Sequence, residues 1–447
     1  MTRFRKALNR LRVENPSTRF SISDQLKFLG DTPRPKPQRD SAHSGNKVAV
    51  ASLPDGRIES TANGKHYVIT NSYPATHHHG KVCLDRMSLD DLSVLLELAR
   101  CPHKELDRAR IVFLDTETTG VQGGTGTCPF LIGLGFFRGD RFQVVQYFIR
   151  DFDEEPSMLS ALGKFLEQFK LIVTYNGKAF DLPLVENRCV LSRLDLPFRH
   201  LSHFDLLFTA RRLWRASQGS CRLTALEEKL VGFGRGPDIP GSMIPRAYFD
   251  YLRSFDASII TSVFSHNVYD IFSLAALMVQ ASDQVVCDPV LVDEALDLYS
   301  LGRIFDRASD CSKSMRCYEM ALESSLPAAV RVRILERLTV LYRRIGEHRR
   351  SLDSCEELIA RSEFSFIGYE GAALYYEYRG RDLEAASNVL DQALNRTEGL
   401  PWMDRRRASL QARKERIERK LQKAPGVEEA QKPLTAMAQR RKGFMVG

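Results

Sequence analysis

The stretch that decides the fold is IVFLDTETTG, residues 111–120. Its first four residues are β-branched or apolar, which is the composition of a buried strand, and the run ends in acidic and hydroxyl side chains. Because alternate strand residues point to the same face, Asp115 and Glu117 are expected to project together at the carboxyl end of the strand. Two neighbouring carboxylates repel each other, and a divalent cation between them removes that penalty.

The residues after this stretch predict a mixed α/β sheet. PFLIGLGFFR (129–138) and FQVVQYFIR (142–150) are two further strands joined by a turn at Gly139–Asp140, and LIVTYNG (171–177) and HLSHFDLL (200–207) are two more. Helices are predicted over 156–169, 178–194 and 256–281. Three hairpin-like strands followed by alternating strands and helices are typical of a mixed sheet flanked by helices.

Two more acidic residues occupy similar settings. Asp181 follows a strand and an Asn-Gly turn in YNGKAFDLPLV (175–185) and begins the next helix. Asp270 lies on the long helix four residues after His266, so the two side chains share one helical face. The alternative is that these acids only cap helices or form salt bridges.

In order and spacing, the three motifs resemble the DEDD 3′–5′ exonuclease superfamily, of the DnaQ and RNase D kind, on a ribonuclease H-like fold. The resemblance covers about residues 109–282, with motifs about 65 and about 90 residues apart. FLDTETTG is similar to the D-x-E motif of that superfamily, and the Asn176–Asp181 segment is similar to its N-x-x-F-D motif. TGTCPFLIGLGFF after the first motif, and SYPATHHHG before it, look most like the YprB-type branch, which often carries tetratricopeptide repeats.

This resemblance implies a role for each candidate residue. Asp115, Glu117, Asp181 and Asp270 would bind two Mg²⁺ or Mn²⁺ ions, and His266 would orient or deprotonate the attacking water. Histidine-type members place His five residues before the last Asp, and tyrosine-type members place Tyr four before it. Here His stands at the four-residue spacing, so His266 is either a catalytic residue or a helix residue that only forms hydrogen bonds.

After Asp288 the pattern becomes all-helical and repeats every 34–37 residues or so. Its apolar, small and tyrosine positions follow tetratricopeptide spacing, with turns at IGEHRR and RGRDLE, and any other helical bundle is the alternative. The domains predicted from these patterns are a disordered segment 1–60, an ordered lead-in 61–108, a ribonuclease H-like domain 109–285, helical repeats with a capping helix 289–423 and a disordered tail 424–447.

The amino-acid composition restricts the kinds of partner and the cellular compartment that we expect for this protein. The 447 residues are 43% hydrophobic and 27% charged, with a net charge of +8, which permits a polyanionic partner. Nine cysteines without zinc spacing favour the reducing cytoplasm, and apolar runs of about ten residues predict no membrane helix. Basic clusters occur at Arg211–Arg212 with Arg215, at Arg405–Arg407 and in RKERIERKLQK (413–423), where interleaved glutamates favour a solvated helix over phosphate contacts.

The expected function is metal-dependent cleavage of DNA or RNA from a 3′ end, with the repeats docking a protein partner or substrate. The alternative is a non-catalytic module that binds nucleic acid or protein on the same fold. Three further sequence features give weaker indications of functional residues. Asp205 is expected to cap a helix or to support the site. The GGTGT loop (123–127) is either a substrate contact or a plain turn. His77–His79 lack an acidic partner in the sequence, so a metal site there is disfavoured.

Overall fold

A computed structural model describes residues 53–102, 106–120, 126–399 and 403–423. The expected tail 424–447, nearly all of the expected disordered segment 1–60 and most of the GGTGT loop lie outside these residues. The strands are β1 (Arg57–Thr61), β2 (Gly64–Pro74), β3 (His78–His79), β4 (Val82–Cys83), β5 (Ile111–Thr118), β6 (Pro129–Arg138), β7 (Arg141–Phe148), β8 (Leu171–Thr174) and β9 (Ser202–Asp205).

Fifteen α-helices are present in the described residues. They are α1 (Leu89–Leu98), α2 (Glu155–Leu166), α3 (Asp181–Leu191), α4 (Leu206–Leu213), α5 (Arg215–Gln218), α6 (Leu223–Leu226), α7 (Ile244–Ser254), α8 (Thr261–Val286), α9 (Ala295–Arg307), α10 (Cys311–Leu322), α11 (Ala328–Ile345), α12 (His348–Arg361), α13 (Phe366–Tyr375), α14 (Leu383–Arg396) and α15 (Asp404–Gln422). Wide π-helical turns follow α6 (Glu227–Val231) and α13 (Tyr376–Gly380).

Seven strands form one mixed sheet in the order β1-β2-β7-β6-β5-β8-β9. β5, β8 and β9 run parallel, and every other pair is antiparallel. The predicted mixed sheet, followed by a helix-rich carboxyl-terminal part, is therefore confirmed. The prediction of disorder up to residue 60 was wrong at its end, because residues 57–61 form β1, an edge strand that pairs with β2.

The alternation of side chains along β5 determines on which face of the sheet Asp115 and Glu117 lie. Ile111 and Phe113 pack in the core on the α8 side of the sheet, whereas Val112 and Leu114 pack on the opposite side with α2 and α3. Residues of odd number therefore face α8. Asp115 and Glu117 continue this face beyond the core, where β5 meets the amino-terminal half of α8.

Helix α8 is the central helix of the sheet-containing part. By length and composition alone, the stretch Ala257–Val286 around it (30 residues, mean hydropathy 1.2) could cross a membrane, contrary to the expectation from short apolar runs. In the structure 67% of its most apolar 18-residue stretch is buried inside the protein. Leu274, Leu277 and Met278 are fully or almost fully buried, so the apolar length of α8 serves the core.

Helices α9–α14 form antiparallel pairs, and α15 follows them. The hydrophobic core crosses the predicted boundary at residues 285–289, because Leu301, Phe305 and Cys317 belong to the same cluster as Leu277 and Trp214. Three cations of the basic helix α15 meet one buried carboxylate. Arg413, Arg416 and Lys420 all contact the carboxylate of Glu377, whose side chain is fully buried.

Candidate active site

The structure brings the predicted acidic residues together at the carboxyl end of β5. Oxygen or nitrogen atoms of Glu117, His266 and Asp270 all lie within 4.8 Å of one another. Asp181, at the first turn of α3, accepts a hydrogen bond of 2.5 Å from Thr116 Oγ1 on β5. Each predicted site residue is thus part of one constellation built by β5, α3 and α8.

Burial and mutual repulsion raise the pKa of each carboxyl in this constellation. Burial is the largest cause for Asp115 and Glu117, and neighbouring carboxylates add to it, so that both pKa values lie well above their usual range. Burial also raises the pKa of Asp181 to about 6, against the hydrogen bond from Thr116. Burial raises the pKa of Asp270 as well, although Arg235 and His266 oppose the rise.

One atom in the site stands out among the described residues. Glu117 Oε1 is buried and has no hydrogen-bond partner, and its residue is only 8% exposed. A buried carboxylate oxygen without a donor costs free energy unless a cation or proton joins it. The carboxylate oxygens suit Mg²⁺ or Mn²⁺, hard cations that prefer oxygen ligands, and the His266 imidazole lies beside them. The residues therefore fit a divalent cation.

A buried arginine that the sequence analysis missed connects α8 to the loop before α7. The Arg235 side chain is 9% exposed. Its guanidinium donates to Asp270 Oδ1, to Glu227 Oε2 at 2.7 Å and to Asp238 Oδ2 at 3.2 Å. Burial alone would lower the pKa of this group, but the carboxylates of Asp270 and Glu227 raise it above its ordinary value.

His266 is held by the same loop. Its Nδ1 lies 2.8 Å from Asp238 Oδ2, and its Nε2 lies 3.4 Å from Asp270 Oδ2. Nδ1 also lies 3.4 Å from Arg235 Nη1, and in the tautomer that donates from Nδ1 to the Asp238 carboxylate, Nε2 carries no proton. In the neutral imidazole, Nε2 is then free to accept a proton on the side of the acidic residues. The unusual four-residue spacing thus still places His266 within the constellation.

Asn267 is a second residue that the sequence analysis missed. Its Nδ2 donates to Asp115 Oδ2 at 2.9 Å, and its Oδ1 accepts from Gln146 Nε2 on β7 at 2.9 Å. Gly133 lies opposite Asp115 in the sheet, and a Cβ there would lie 2.1 Å from Asn267 Oδ1. Glycine at this position therefore lets the buried amide reach and orient the first carboxylate.

The lead-in and the turn before Asp181 also support the site. His79 Nε2 lies 3.1 Å from Glu227 Oε1 and 2.9 Å from Ser273 Oγ, so the histidine segment forms a buried hydrogen-bond network with Glu227. Asp205 accepts from the backbone amides of Asn176 and Lys178 at 2.8 and 3.1 Å, and from that of Leu207 at 3.1 Å. Asp205 is thus a supporting cap, as predicted. Asn176 has a φ of 66°, which asparagine tolerates better than most residues.

Comparisons with known proteins agree with this arrangement. Over 333 residues the chain is 28% identical to a protein of Bacillus subtilis (strain 168) described as "Uncharacterized protein YprB", and the match covers 72% of this chain and 79% of that protein. Residues 112–282 match the family model of the RNase_H superfamily, and this range contains α3, most of β5 and α8, and all five predicted site residues.

Proposed function

We propose that this chain is a metal-dependent 3′–5′ exonuclease that hydrolyses phosphodiester bonds of DNA or RNA. The observation that carries the proposal is the set of four neighbouring carboxyl groups, each buried or half-buried and with a raised pKa, one of which has a buried oxygen without a partner. This set lies inside a domain that matches the RNase_H superfamily. A protein that only binds a polyanion gains nothing from buried acids of this kind, which argues against the non-catalytic alternative.

The site residues would have different roles in hydrolysis, namely metal binding and proton transfer. Asp115, Glu117, Asp181 and Asp270 would hold two Mg²⁺ or Mn²⁺ ions. When bound, such ions polarise a phosphoryl oxygen and lower the pKa of water. His266 would take the proton of the attacking water on Nε2, while Asp238 keeps the imidazole oriented through Nδ1. A general base of this kind contributes roughly 10²–10⁴-fold to a rate.

The remaining expectations belong to the same proposal. Helices α9–α14 would form a tetratricopeptide-like scaffold that docks a protein partner or substrate, with α15 as its cap. The chain would divide into a nuclease domain up to residue 285 and repeats from residue 289. We assign the protein to the cytoplasm because all nine cysteines are free, as expected for a reducing compartment.

The test uses the full chain with 3′-labelled and 5′-labelled single-stranded DNA and RNA, in Mg²⁺, Mn²⁺ or EDTA. We expect labelled mononucleotide from the 3′-labelled strands at once, a descending ladder from the 5′-labelled strands, and no product in EDTA. Asp115→Asn should be inactive, whereas the control Asp153→Asn, an exposed acid on the surface, should match wild type. Cleavage of a circular strand would contradict the exonuclease assignment. Failure of the wild type to cleave any strand with either metal would contradict the enzymatic proposal.

A further inference from the structure

Five arginines lie exposed near one another where the sheet-containing part meets the first helix pair. They come from the end of α1, from α4 and α5, and from the end of α9. They are Arg100, Arg211, Arg212, Arg215 and Arg307, and we call them, with Phe208, the arginine surface. Within the described ranges none of the five forms an ion pair.

Three of these charges, those of Arg100, Arg212 and Arg307, lie close enough to affect one another. Burial, and after it the positive charges of Arg307 and Arg100, lowers the pKa of the Arg212 guanidinium. Helix α9 packs directly on α4 and α5, which brings Arg307 to this face. Clustered cations without a counter-ion repel one another, and a polyanion would relieve that repulsion.

The positions along α4 and α5 add an aromatic ring to the charges. Phe208, Arg211, Arg212 and Arg215 are spaced i, i+3, i+4 and i+7, so they share one helical face over about 10 Å of axis. Phe208 is 45% exposed, although it belongs to a helix whose other apolar residues are buried. Exposed aromatic rings interleaved with cations are typical of surfaces that bind single-stranded nucleic acid, because bases stack on the rings while phosphates contact the cations.

This face begins at the edge of the sheet that carries the acidic constellation. Asp205 caps α4 through the amide of Leu207, and the same carboxylate holds the amides of Asn176 and Lys178 in the turn that leads to Asp181. Phe208 is the next residue after Leu207. A strand that leaves the constellation over this turn therefore meets Phe208 first, and then the arginines in the direction of α9.

The basic segment 413–420 of α15 differs from the arginine surface, because its charges are engaged within the protein. Arg413, Arg416 and Lys420 contact Glu377, and Lys414 pairs with Asp391. Phosphate contacts by these four residues, which the sequence left open, would have to break these pairs.

We infer that the arginine surface binds the single-stranded segment of the nucleic acid whose 3′ end enters the acidic site. This inference rests on the proposed function, and it specifies the substrate as a single strand. It also assigns the junction between α4, α5 and α9 a role in holding that strand.

The test measures binding of a fluorescein-labelled 20-nucleotide single strand to the full chain in EDTA between 50 and 300 mM salt, so cleavage does not enter. Each phosphate contact to a single strand contributes about 0.7 to the slope of log affinity against log salt. Arg212→Gln/Arg215→Gln should therefore reduce the slope by about 1.4. The control Arg333→Gln/Arg343→Gln removes the same charge from α11 and should leave the slope unchanged.

Phe208 provides an independent measurement. Stacking of one base is worth about 1–3 kcal/mol, so Phe208→Ala should weaken binding roughly 5- to 150-fold at constant slope. Phe208→Tyr, which keeps the ring, should bind like wild type. The inference is overturned if the Arg212/Arg215 variant and its control have the same slope, if Phe208→Ala binds like wild type, or if a blunt duplex binds as tightly as the single strand. Because these outcomes are read without metal, they are distinguishable from a failure of the exonuclease assay.

Discussion

Replacement of Arg235 by methionine tests the buried network that holds the candidate site together. The guanidinium contacts three carboxylates, of which Glu227 is 1% exposed and Asp270 13% exposed. Removing one partner of a buried ion pair typically costs about 3–5 kcal/mol, because the other partner stays buried without compensation. We therefore expect Arg235→Met to reduce the free energy of unfolding by about 3–5 kcal/mol, measured by urea unfolding followed by circular dichroism.

Two further variants sharpen this prediction. Glu227→Gln/Arg235→Met removes the buried charge together with its partner and should recover roughly 1–3 kcal/mol of the loss. Arg253→Met breaks an exposed pair with Asp250 and should cost about 1 kcal/mol or less. If Arg235→Met unfolds at the same urea concentration as Arg253→Met, the network does not carry the stability that we assign to it.

Three other predictions follow from the same geometry. The pKa of Asp181 rises from 3.8 to about 6 on folding, so the folded protein binds more protons and loses stability as pH rises through this window, by an amount on the order of 3 kcal/mol at neutral pH. In EDTA, Asp181→Asn should thus raise the melting temperature at pH 8, with a smaller gain at pH 5, and no gain at pH 8 would contradict the shift. His266→Ala should lower turnover roughly 10²–10⁴-fold and leave Mn²⁺ affinity nearly unchanged; equal turnover would exclude a role as base. Phe305→Ala should cost about 3–5 kcal/mol and speed hydrogen exchange in α8, whereas Leu390→Ala in α14 should leave exchange in α8 unchanged.

Most of the fold could be predicted from the periodic spacing of residues within single strands and helices. Alternation along IVFLDTET predicted the strand and the shared face of Asp115 and Glu117, and β5 has this geometry. Helical spacing predicted that His266 and Asp270 lie side by side, and they do. Both relations depend on residues a few positions apart, so the period of the strand or helix is enough to find them.

The residues that the sequence analysis missed act over long separations. Arg235 and Asp238 lie in a glycine- and proline-rich loop, GFGRGPDIPG (232–241), that gives no periodic signal. Their partner Asp270 is more than 30 residues away, and His79 reaches Glu227 across 148 residues. The sequence signal that could have pointed to these two residues was a pair of opposite charges within a loop of glycines and prolines. Only the folded chain shows which acids such an arginine meets.

The basic helix α15 illustrates the same limit on the surface. Its alternating charge favoured a solvated helix face over phosphate contact, and four of its cations form ion pairs within the protein. The partner of its cations, Glu377, lies on the π-helical turn after α13 and could not be identified from the charge pattern. Five exposed arginines that form no ion pair within the described residues make up the charged part of the arginine surface, and they come from α4, α5, α9 and the residues just after α1.

Calorimetric titration of Mn²⁺ into the full chain tests most directly whether the carboxylates around Glu117 form a divalent-cation site. We predict binding at neutral pH that is lost in Asp115→Asn/Glu117→Gln and retained in the surface control Asp153→Asn. Affinity should fall as pH drops below about 6, because protonation of Asp181 competes with the cation. Equal Mn²⁺ binding by wild type and the Asp115/Glu117 variant, or no binding by wild type, would contradict the claim.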